Sequence, residues 1–236
     1  GPLGWIARRV CLREGLKFTT GFHTRFAEYA AARIPLPGVL ALGWSILRRF
    51  HAPSQAVMVP TRSIGAELDR RRFQNVKVWT RGVDHGLFRP YPRDHLNMQR
   101  PIILYAGRLA VEKGIDDFIA LKVKGSKVLV GDGPERARLQ KSAPEAHFLG
   151  FRHGEDYART LASADVLVFP SLTDTFGLVM LEAMACGTPV AAYNAPSPLD
   201  VVENGVTGII AGTLENAVER ASVLDRGRVA EGSRKF

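Results

Sequence analysis

Two carboxylates with a defined spacing lie in the second half of the chain, Asp174 in a loop and Glu182 eight positions later in an apolar segment. The pattern around Glu182 predicts a helix buried on all sides, where a carboxylate needs hydrogen-bond donors from the protein or from a ligand. A ribose diol, with two hydroxyls at carboxylate spacing, meets that need. Asp174 precedes the same helix, and it either caps the helix or contacts a ligand.

Two cations, Arg108 and Lys113, occupy a loop that follows a predicted strand. Gly107, directly after the strand, lets a ligand approach the backbone, and cations with this spacing can converge on a diphosphate. The alternative is an ordinary turn with two solvated basic side chains.

Two further loops after strands carry residues of the same kind. Gly131 and Gly133 flank Asp132, which either caps the next helix or faces a ligand close to the glycines. Phe151 follows the glycine of the third loop and offers a flat surface on which a nucleobase can lie.

Strands and helices alternate regularly around these loops. The predicted strands cover residues 102–106, 126–130, 147–149, 166–169, 189–192 and 208–210. Because they are short, apolar on both faces and separated by helices, they predict a parallel sheet covered on both sides, a Rossmann-type α/β domain. Ligands of such folds bind beyond the carboxyl ends of the strands, where these loops lie.

A similar alternation occupies residues 5–79, in which Pro35 and Pro37 end one predicted helix. The following stretch, 82–98, contains two prolines, scattered charge and no clear period, which is typical of a linker. We therefore predict an N-terminal domain with its linker over residues 1–91 and a C-terminal domain over residues 92–236.

The composition excludes several classes of protein. Of 236 residues, 46% are hydrophobic and 23% charged, which excludes disordered and collagen-like chains. The two cysteines, Cys11 and Cys186, lie far apart, so we predict neither a disulfide scaffold nor a zinc site and expect a cytosolic protein. The longest apolar run, 39–47, is shorter than the ~20 residues that cross a bilayer.

The net charge of +9 is unevenly distributed. Residues 1–100 hold 17 Lys+Arg and 6 Asp+Glu, a balance of +11, whereas residues 101–236 hold 15 and 17, a balance of −2. A basic first part suits nucleic acid, anionic lipid headgroups or a phosphorylated substrate.

Four motifs, in this order, resemble the family 4 retaining glycosyltransferases of GT-B architecture. They are the segments 107–114, 131–134, 170–183 and 187–190. The acidic pair is similar to that family's acidic-x7-acidic signature, with Asp174 where Glu is usual. The segments 18–26 and 81–90 resemble the bacterial GDP-mannose-dependent α-mannosyltransferases that act on glycolipids.

The resemblance covers residues 5 to 234 and implies a GT-B type α/β fold with two Rossmann-like domains. The N-terminal domain is expected to be incomplete, because the family's first strand and glycine-rich loop are missing upstream of His23. The C-terminal domain is expected to be nearly complete, with its last helix truncated. We therefore expect the chain to be a fragment.

The resemblance also implies roles for individual residues. As catalytic residues it implies His23, Arg108, Lys113 and Asp174, with His23 near the donor sugar, Asp174 on the transferred sugar, and Arg108 and Lys113 on the donor diphosphate. As donor-binding residues it implies Gly107, Gly131, Asp132, Gly133, Phe151, Thr175, Phe176, Gly177, Leu178 and Glu182. From the sequence alone His23 can equally be a structural hydrogen-bonding residue.

The partners implied are a nucleotide sugar, with GDP-mannose as the expected donor, and a glycolipid or saccharide acceptor. No metal is expected, since cationic side chains of the protein take its place. No other cofactor and no nucleic-acid partner are expected either. The segment 39–50 either packs in the core or lies on an anionic membrane surface, so a cytoplasmic protein with at most peripheral contact at the inner face of the membrane is expected.

Three alternatives belong to other classes. An inactive fragment would only bind a nucleotide diphosphate or nucleotide sugar. A nicotinamide dehydrogenase would need a G-x-G-x-x-G after its first strand and an acidic residue about 20 positions later, and the sequence lacks both. A nucleic-acid-binding protein would show binding that falls steeply with salt and does not compete with GDP or UDP.

Overall fold

The computed structural model describes residues 1–34 and 36–236 and divides the chain into two units after Thr80. The first unit contains a three-stranded parallel sheet in the order β1-β2-β3. Its strands are β1 (Thr20–Gly21), β2 (Val57–Val59) and β3 (Val76–Val78), and its helices are α1 (Pro2–Arg13), α2 (Phe26–Arg33), α3 (Val39–His51) and α4 (Arg62–Arg70). Pro35, predicted to help end a helix, lies outside the described residues.

Three aromatic side chains pack together in the small core of the first unit. Phe22 and Trp44 stack at 5.8 Å between ring centroids, and Phe73 packs edge-on against both rings. Thr61 caps α4, because its hydroxyl oxygen accepts a hydrogen bond from the Ile64 amide at 3.3 Å. That bond satisfies one of the free N–H groups at the helix start.

A partly buried network of hydroxyl groups holds His51 beside these aromatic rings. The Nδ1 atom of His51 lies 2.8 Å from the Thr20 hydroxyl, which itself donates to the Ser54 hydroxyl at 3.0 Å. Because that hydroxyl proton is already used, the geometry favours a neutral imidazole that carries its proton on Nδ1. Burial lowers the pKa of His51 to about 4.

The second unit contains a six-stranded sheet in the order β6-β5-β4-β7-β8-β9, with every neighbouring pair parallel. The strands are β4 (Ile102–Ala106), β5 (Ser126–Val130), β6 (His147–Gly150), β7 (Val166–Phe169), β8 (Val190–Tyr193) and β9 (Gly208–Ala211). The helices are α5 (Ile115–Ala120), α6 (Arg136–Ser142), α7 (Gly154–Ser163), α8 (Leu178–Ala185), α9 (Pro196–Val201), α10 (Leu214–Ala221) and α11 (Arg226–Gly232).

Each face of this sheet is covered by its own hydrophobic cluster. Along β4, Ile102 and Leu104 contribute to one cluster, and Ile103 and Tyr105 contribute to the other. The predicted parallel sheet with helices on both sides is therefore confirmed. The strand order reverses between β4 and β7, which is where such sheets open a crevice for ligands.

The division between the units falls earlier than the predicted boundary near residue 92. The reason is that Val83, Leu87, Phe88 and Tyr91 pack against the core of the second unit. The stretch with the features of a linker is therefore a packed segment of that unit. In the described part of the chain, no helix combines the length and apolar composition that crossing a membrane requires.

The buried histidine predicts acid sensitivity of the first unit. The unfolded chain takes up a proton on His51 near pH 6.5 and the folded unit only near pH 4, so acidification between these values favours the unfolded chain. We expect this single group to remove about 3 kcal/mol of unfolding free energy across that window. Urea unfolding followed by tryptophan fluorescence measures it, because all three tryptophans lie in residues 1–80. A His51→Gln variant with the same pH dependence as the wild type would contradict the expectation.

Candidate functional site

A cavity of about 660 Å³ lies at the carboxyl edge of the six-stranded sheet, among the loops that follow β4, β5 and β6. Six residues predicted from the sequence line it: Gly107, Arg108, Gly131, Asp132, Gly133 and Phe151. Its volume falls within the range of small-molecule sites. The three loops predicted to meet at this edge therefore do so.

Close packing of the loops accounts for two of the glycines. Gly131 has φ +122°, and a Cβ built on it would lie 2.0 Å from the Gly107 carbonyl oxygen. A Cβ on Gly133 would lie 2.2 Å from the Leu109 carbonyl oxygen. Both contacts are with backbone, which cannot move aside, so the glycines are needed to bring the loops together whether or not a ligand is bound.

Asp132 is engaged within its own loop. Its Oδ1 atom accepts a hydrogen bond from the Gly133 amide at 2.7 Å, and its Oδ2 atom lies 3.0 Å from Nη1 of Arg136. These interactions, the amide first, lower the pKa of the Asp132 carboxyl. Glu135, not Asp132, occupies the N-cap position of α6, so the structure shows Asp132 shaping the loop before the helix.

Arg108 is exposed at the cavity, and its backbone is held in place from within the core. The hydroxyl of Tyr105, at the end of β4, donates to the Arg108 carbonyl oxygen at 2.9 Å. Within the described residues no carboxylate pairs with the Arg108 guanidinium. An exposed guanidinium on a fixed loop can form a bidentate contact with a phosphate group.

Lys113 and Asp174 form an ion pair across the reversal in strand order. Lys113 belongs to the loop after β4 and Asp174 to the loop after β7, and Nζ and Oδ1 are 2.6 Å apart. Both side chains are largely shielded from solvent, at 25% and 15% exposure. The alternative that Asp174 caps α8 is wrong, since the N-cap residue of that helix is Gly177.

Glu182 lies on α8 and is half-buried. Its Oε2 atom accepts a hydrogen bond from the hydroxyl of Tyr157 on α7, with 3.0 Å between the oxygens. Burial raises the pKa of Glu182, and the Tyr157 hydrogen bond opposes that rise. The donor that the sequence required is therefore, in part, a protein side chain.

The remaining predicted donor-binding residues, 175–178, form the turn into α8. Thr175 and Phe176 are buried, and the Ser197 hydroxyl donates to the Phe176 carbonyl oxygen. Gly177 has a left-handed backbone, and Leu178 begins the helix with its side chain exposed. The lining of the 660 Å³ cavity does not include these four residues.

His23 lies in the first unit, directly after β1. It is exposed and lines a second cavity, of about 440 Å³, within that unit. Its ring lies over Gly21, where an added Cβ would come within 2.5 Å of Nε2. The structure thus places His23 in a different unit from the other predicted site residues.

Sequence reasoning missed two side chains that line the larger cavity. Tyr157 has the spacing of a core residue on α7, since Leu161 follows one turn later. That spacing predicts packing and gives no indication that the hydroxyl forms a hydrogen bond at the site. Arg152 forms an ion pair with Asp156 at 3.0 Å, and its Nε atom is buried without a partner in the described chain. Beside them Phe151 stacks on His153 with rings 15° apart.

Comparison with known proteins identifies the family. The glycosyl transferases group 1 profile matches residues 100–224, more than half of the chain, and the glycosyltransferase family 4 profile matches residues 1–87. The chain belongs to the glycosyl transferases group 1 family. The resemblance indicated by its motifs is thereby confirmed.

The chain is similar to two longer curated relatives and matches only part of each. It is 37% identical over 216 residues to the GDP-mannose-dependent alpha-mannosyltransferase of Mycolicibacterium smegmatis, covering 88% of this chain and 57% of the relative. It is 31% identical over 245 residues to the sulfoquinovosyl transferase SQD2 of Arabidopsis thaliana, covering 95% of this chain and 48% of the relative. The chain therefore spans about half the length of these curated relatives.

Solved structures agree on the fold. The chain superposes on Anabaena Alr3699/HepE, crystallised with UDP and glucose, with a TM-score of 0.77 at 19% identity, covering 99% of this chain and 71% of that one. It superposes on the sucrose-phosphate synthase of Thermosynechococcus elongatus with a TM-score of 0.80 at 23% identity, covering 98% and 66%. The predicted α/β fold of GT-B type is confirmed.

The loop packing makes a testable prediction about Gly131. We expect Gly131→Ala to destabilise the second unit by about 3 kcal/mol or more, because it adds a backbone clash to an unfavourable φ. Gly205→Ala is the matched control: its φ is +85° and an added Cβ meets nothing within 4 Å, so a loss of about 1 kcal/mol is expected. Scanning calorimetry compares the two variants, and equal losses would contradict the close packing.

Proposed function

We propose that the protein is a retaining glycosyltransferase that transfers a hexosyl group, mannose from GDP-mannose, to a glycolipid or saccharide acceptor. One observation carries the proposal. The cavity of about 660 Å³ is lined by Arg108, which has no carboxylate partner among the described residues, and by Tyr157, which bonds the half-buried Glu182. The loop after β4, which contributes Arg108, also carries Lys113, paired with Asp174 of the loop after β7. Each of these groups corresponds to one part of a nucleotide sugar.

The cavity suits the nucleotide part of such a donor. Phe151 is 67% exposed at the cavity and offers its ring to a base. Glu182, held beside the cavity by Tyr157, can accept hydrogen bonds from both ribose hydroxyls. Arg108 lies on the loop after β4, where its guanidinium can bind the diphosphate.

Lys113 and Asp174 suit the reacting end of the donor. Breaking the bond between sugar and phosphate leaves negative charge on the diphosphate, and fixed cations stabilise that charge. We assign this role to Lys113 with Arg108, and we assign contact with the sugar hydroxyls to Asp174. The proposal requires no metal, since the side chains of Arg108 and Lys113 supply the positive charge. We assign His23 a position near the sugar of the donor.

The choice of donor rests on relatives. The Mycolicibacterium smegmatis protein and its counterpart from Mycobacterium tuberculosis are both named GDP-mannose-dependent alpha-mannosyltransferases. Anabaena Alr3699/HepE was instead crystallised with UDP and glucose, which makes a UDP-sugar the competing donor. An inactive nucleotide-binding fragment remains the second candidate function, favoured by the confinement of the cavity to the second unit.

A peripheral contact of the first unit with an anionic membrane is part of the proposal. Residues 1–80 hold 13 Lys+Arg and 4 Asp+Glu, so this unit carries a balance of +9, the whole net charge of the chain. On α3, Trp44 is buried in the core, whereas Leu42 and Ile46, on the opposite side of the helix, are exposed. The packed side agrees with the core alternative, and the exposed apolar side supports the membrane contact that we propose.

Calorimetric titration in moderate salt tests the donor site directly. We expect selective binding among GDP, UDP, GDP-mannose and UDP-glucose, with GDP and GDP-mannose preferred. Preference for the uridine nucleotides would replace the donor but keep the reaction class. Binding of none of the four would contradict the proposal, and binding without transfer of mannose to a glycolipid would favour the inactive fragment.

The proposed phosphate role of Lys113 makes a sharper prediction. We expect Lys113→Ala to weaken GDP binding by about tenfold or more, because a charge-assisted contact is lost. Guanosine, which has no phosphate, should bind nearly as it does to the wild type. Lys141→Ala, which removes an exposed lysine from α6, is the matched control. Equal losses for GDP and guanosine would remove Lys113 from the phosphate site.

A further inference from the structure

Tyr157 connects the cavity to the glutamate of the acidic pair. Its side chain lines the 660 Å³ cavity, and its hydroxyl lies 3.0 Å from Oε2 of Glu182 on the neighbouring helix. On its other side, the Tyr157 ring packs edge-on against Phe88 at 5.9 Å, which holds the ring in one orientation. A rigid aromatic side chain therefore presents one hydroxyl to one carboxylate oxygen.

The hydrogen bond restricts what Glu182 can do. Within the described residues, Tyr157 supplies the one hydrogen bond that the Glu182 carboxylate accepts, and it occupies a single oxygen. The carboxylate plane is thereby oriented, and acceptor positions stay available on both oxygens. Without this donor, a half-buried carboxylate would be free to rotate and would lose the interaction that compensates its burial.

We propose that Tyr157 is a positioning residue that holds the Glu182 carboxylate in the orientation that accepts the two ribose hydroxyls of a nucleotide donor. This inference rests on the proposed function, because it specifies how the same site recognises the sugar of the nucleotide. Tyr157 acts through Glu182: its contribution to binding depends on the presence of the carboxylate and of the ribose diol.

Electrostatics support the direction of this hydrogen bond. Burial and the neighbouring Glu182 charge both raise the pKa of the Tyr157 hydroxyl, so it stays protonated and donates. The same bond opposes the burial that raises the pKa of Glu182. Removing the hydroxyl therefore raises the pKa of Glu182 further, and binding that needs the carboxylate should fail at a higher pH.

Tyr157→Phe separates positioning from packing, since the phenylalanine ring keeps the contact with Phe88 and only the hydroxyl is lost. Calorimetry measures the dissociation constants of GDP and of 2′,3′-dideoxy-GDP, which lacks the diol. We expect the variant to bind GDP about tenfold more weakly, and dideoxy-GDP nearly as the wild type does. Unchanged binding of dideoxy-GDP also shows that the cavity is intact in the variant.

Two comparisons complete the test. Tyr91→Phe, the matched control, removes the hydroxyl that donates to the Leu87 carbonyl oxygen outside the cavity, and it should leave both constants unchanged. In a Glu182→Gln background, the added Tyr157→Phe change should weaken GDP far less than in the wild type, because the two residues act as one unit. GDP binding is also measured from about pH 8 to about pH 5. The pH at which binding is lost on acidification should be higher for Tyr157→Phe than for the wild type.

The outcomes separate this inference from the proposed function. A wild type that binds neither GDP nor UDP contradicts the proposed function and this inference with it. A wild type that prefers GDP to dideoxy-GDP, together with a Tyr157→Phe variant that keeps the same preference, contradicts only the inference. Equal weakening of both nucleotides by Tyr157→Phe would also overturn it, since Tyr157 would then have a structural role.

Discussion

The contact between the loops after β4 and β7 is the constraint on which the rest of the site depends. These loops leave the paired strands β4 and β7, between which the strand order reverses. Beyond the strands they are joined by the Lys113–Asp174 ion pair, the Thr173 hydroxyl donating to the Glu112 carbonyl oxygen at 3.1 Å, and the approach of Gly114 to Pro170. A Cβ on Gly114 would lie 2.8 Å from the Pro170 carbonyl oxygen, so the two backbones meet directly.

An ion pair of this kind contributes more to geometry than to stability. Exposed pairs are worth up to about 1 kcal/mol, and a partly shielded pair loses hydration that offsets much of its attraction. What the Lys113–Asp174 pair does is hold a cation and an anion at fixed positions beside the crevice. A donor that brings a diphosphate and sugar hydroxyls offers both residues new partners at the same place.

The sequence predicts the fold well where local pattern and tertiary packing agree. The predicted bounds of β4, β5 and β7 coincide with those observed, because each strand is a short apolar run between turn residues and buried on both faces. The division after Thr80 lies earlier than the predicted boundary near residue 92. Prolines and charges surround Val83, Leu87 and Phe88 in the sequence, and the packing of these side chains against the second unit is not visible there. Loop position likewise predicted the cavity, since glycines after parallel strands must meet at one edge.

Contacts between side chains were less predictable. Asp174 pairs with Lys113, and Tyr157 donates a hydrogen bond to Glu182. Both contacts depend on how loops and helices from distant parts of the chain approach each other. No periodicity encodes such distances, and Tyr157 has the spacing of a packing residue. The resemblance to a family supplied roles for Lys113, Asp174 and Glu182, but not the partners that each has in the folded chain.

The central claim is that a nucleotide diphosphate binds in the cavity at the carboxyl edge of the six-stranded sheet. The most direct measurement is a titration of the ¹⁵N-labelled protein with GDP, observed through its backbone amide resonances. The account predicts that the amides of Gly107, Gly131 and Gly133 shift together, while Gly125 and Gly205, which precede strands at the opposite edge, stay in place. Saturation with GDP that leaves the first three amides unchanged would contradict it.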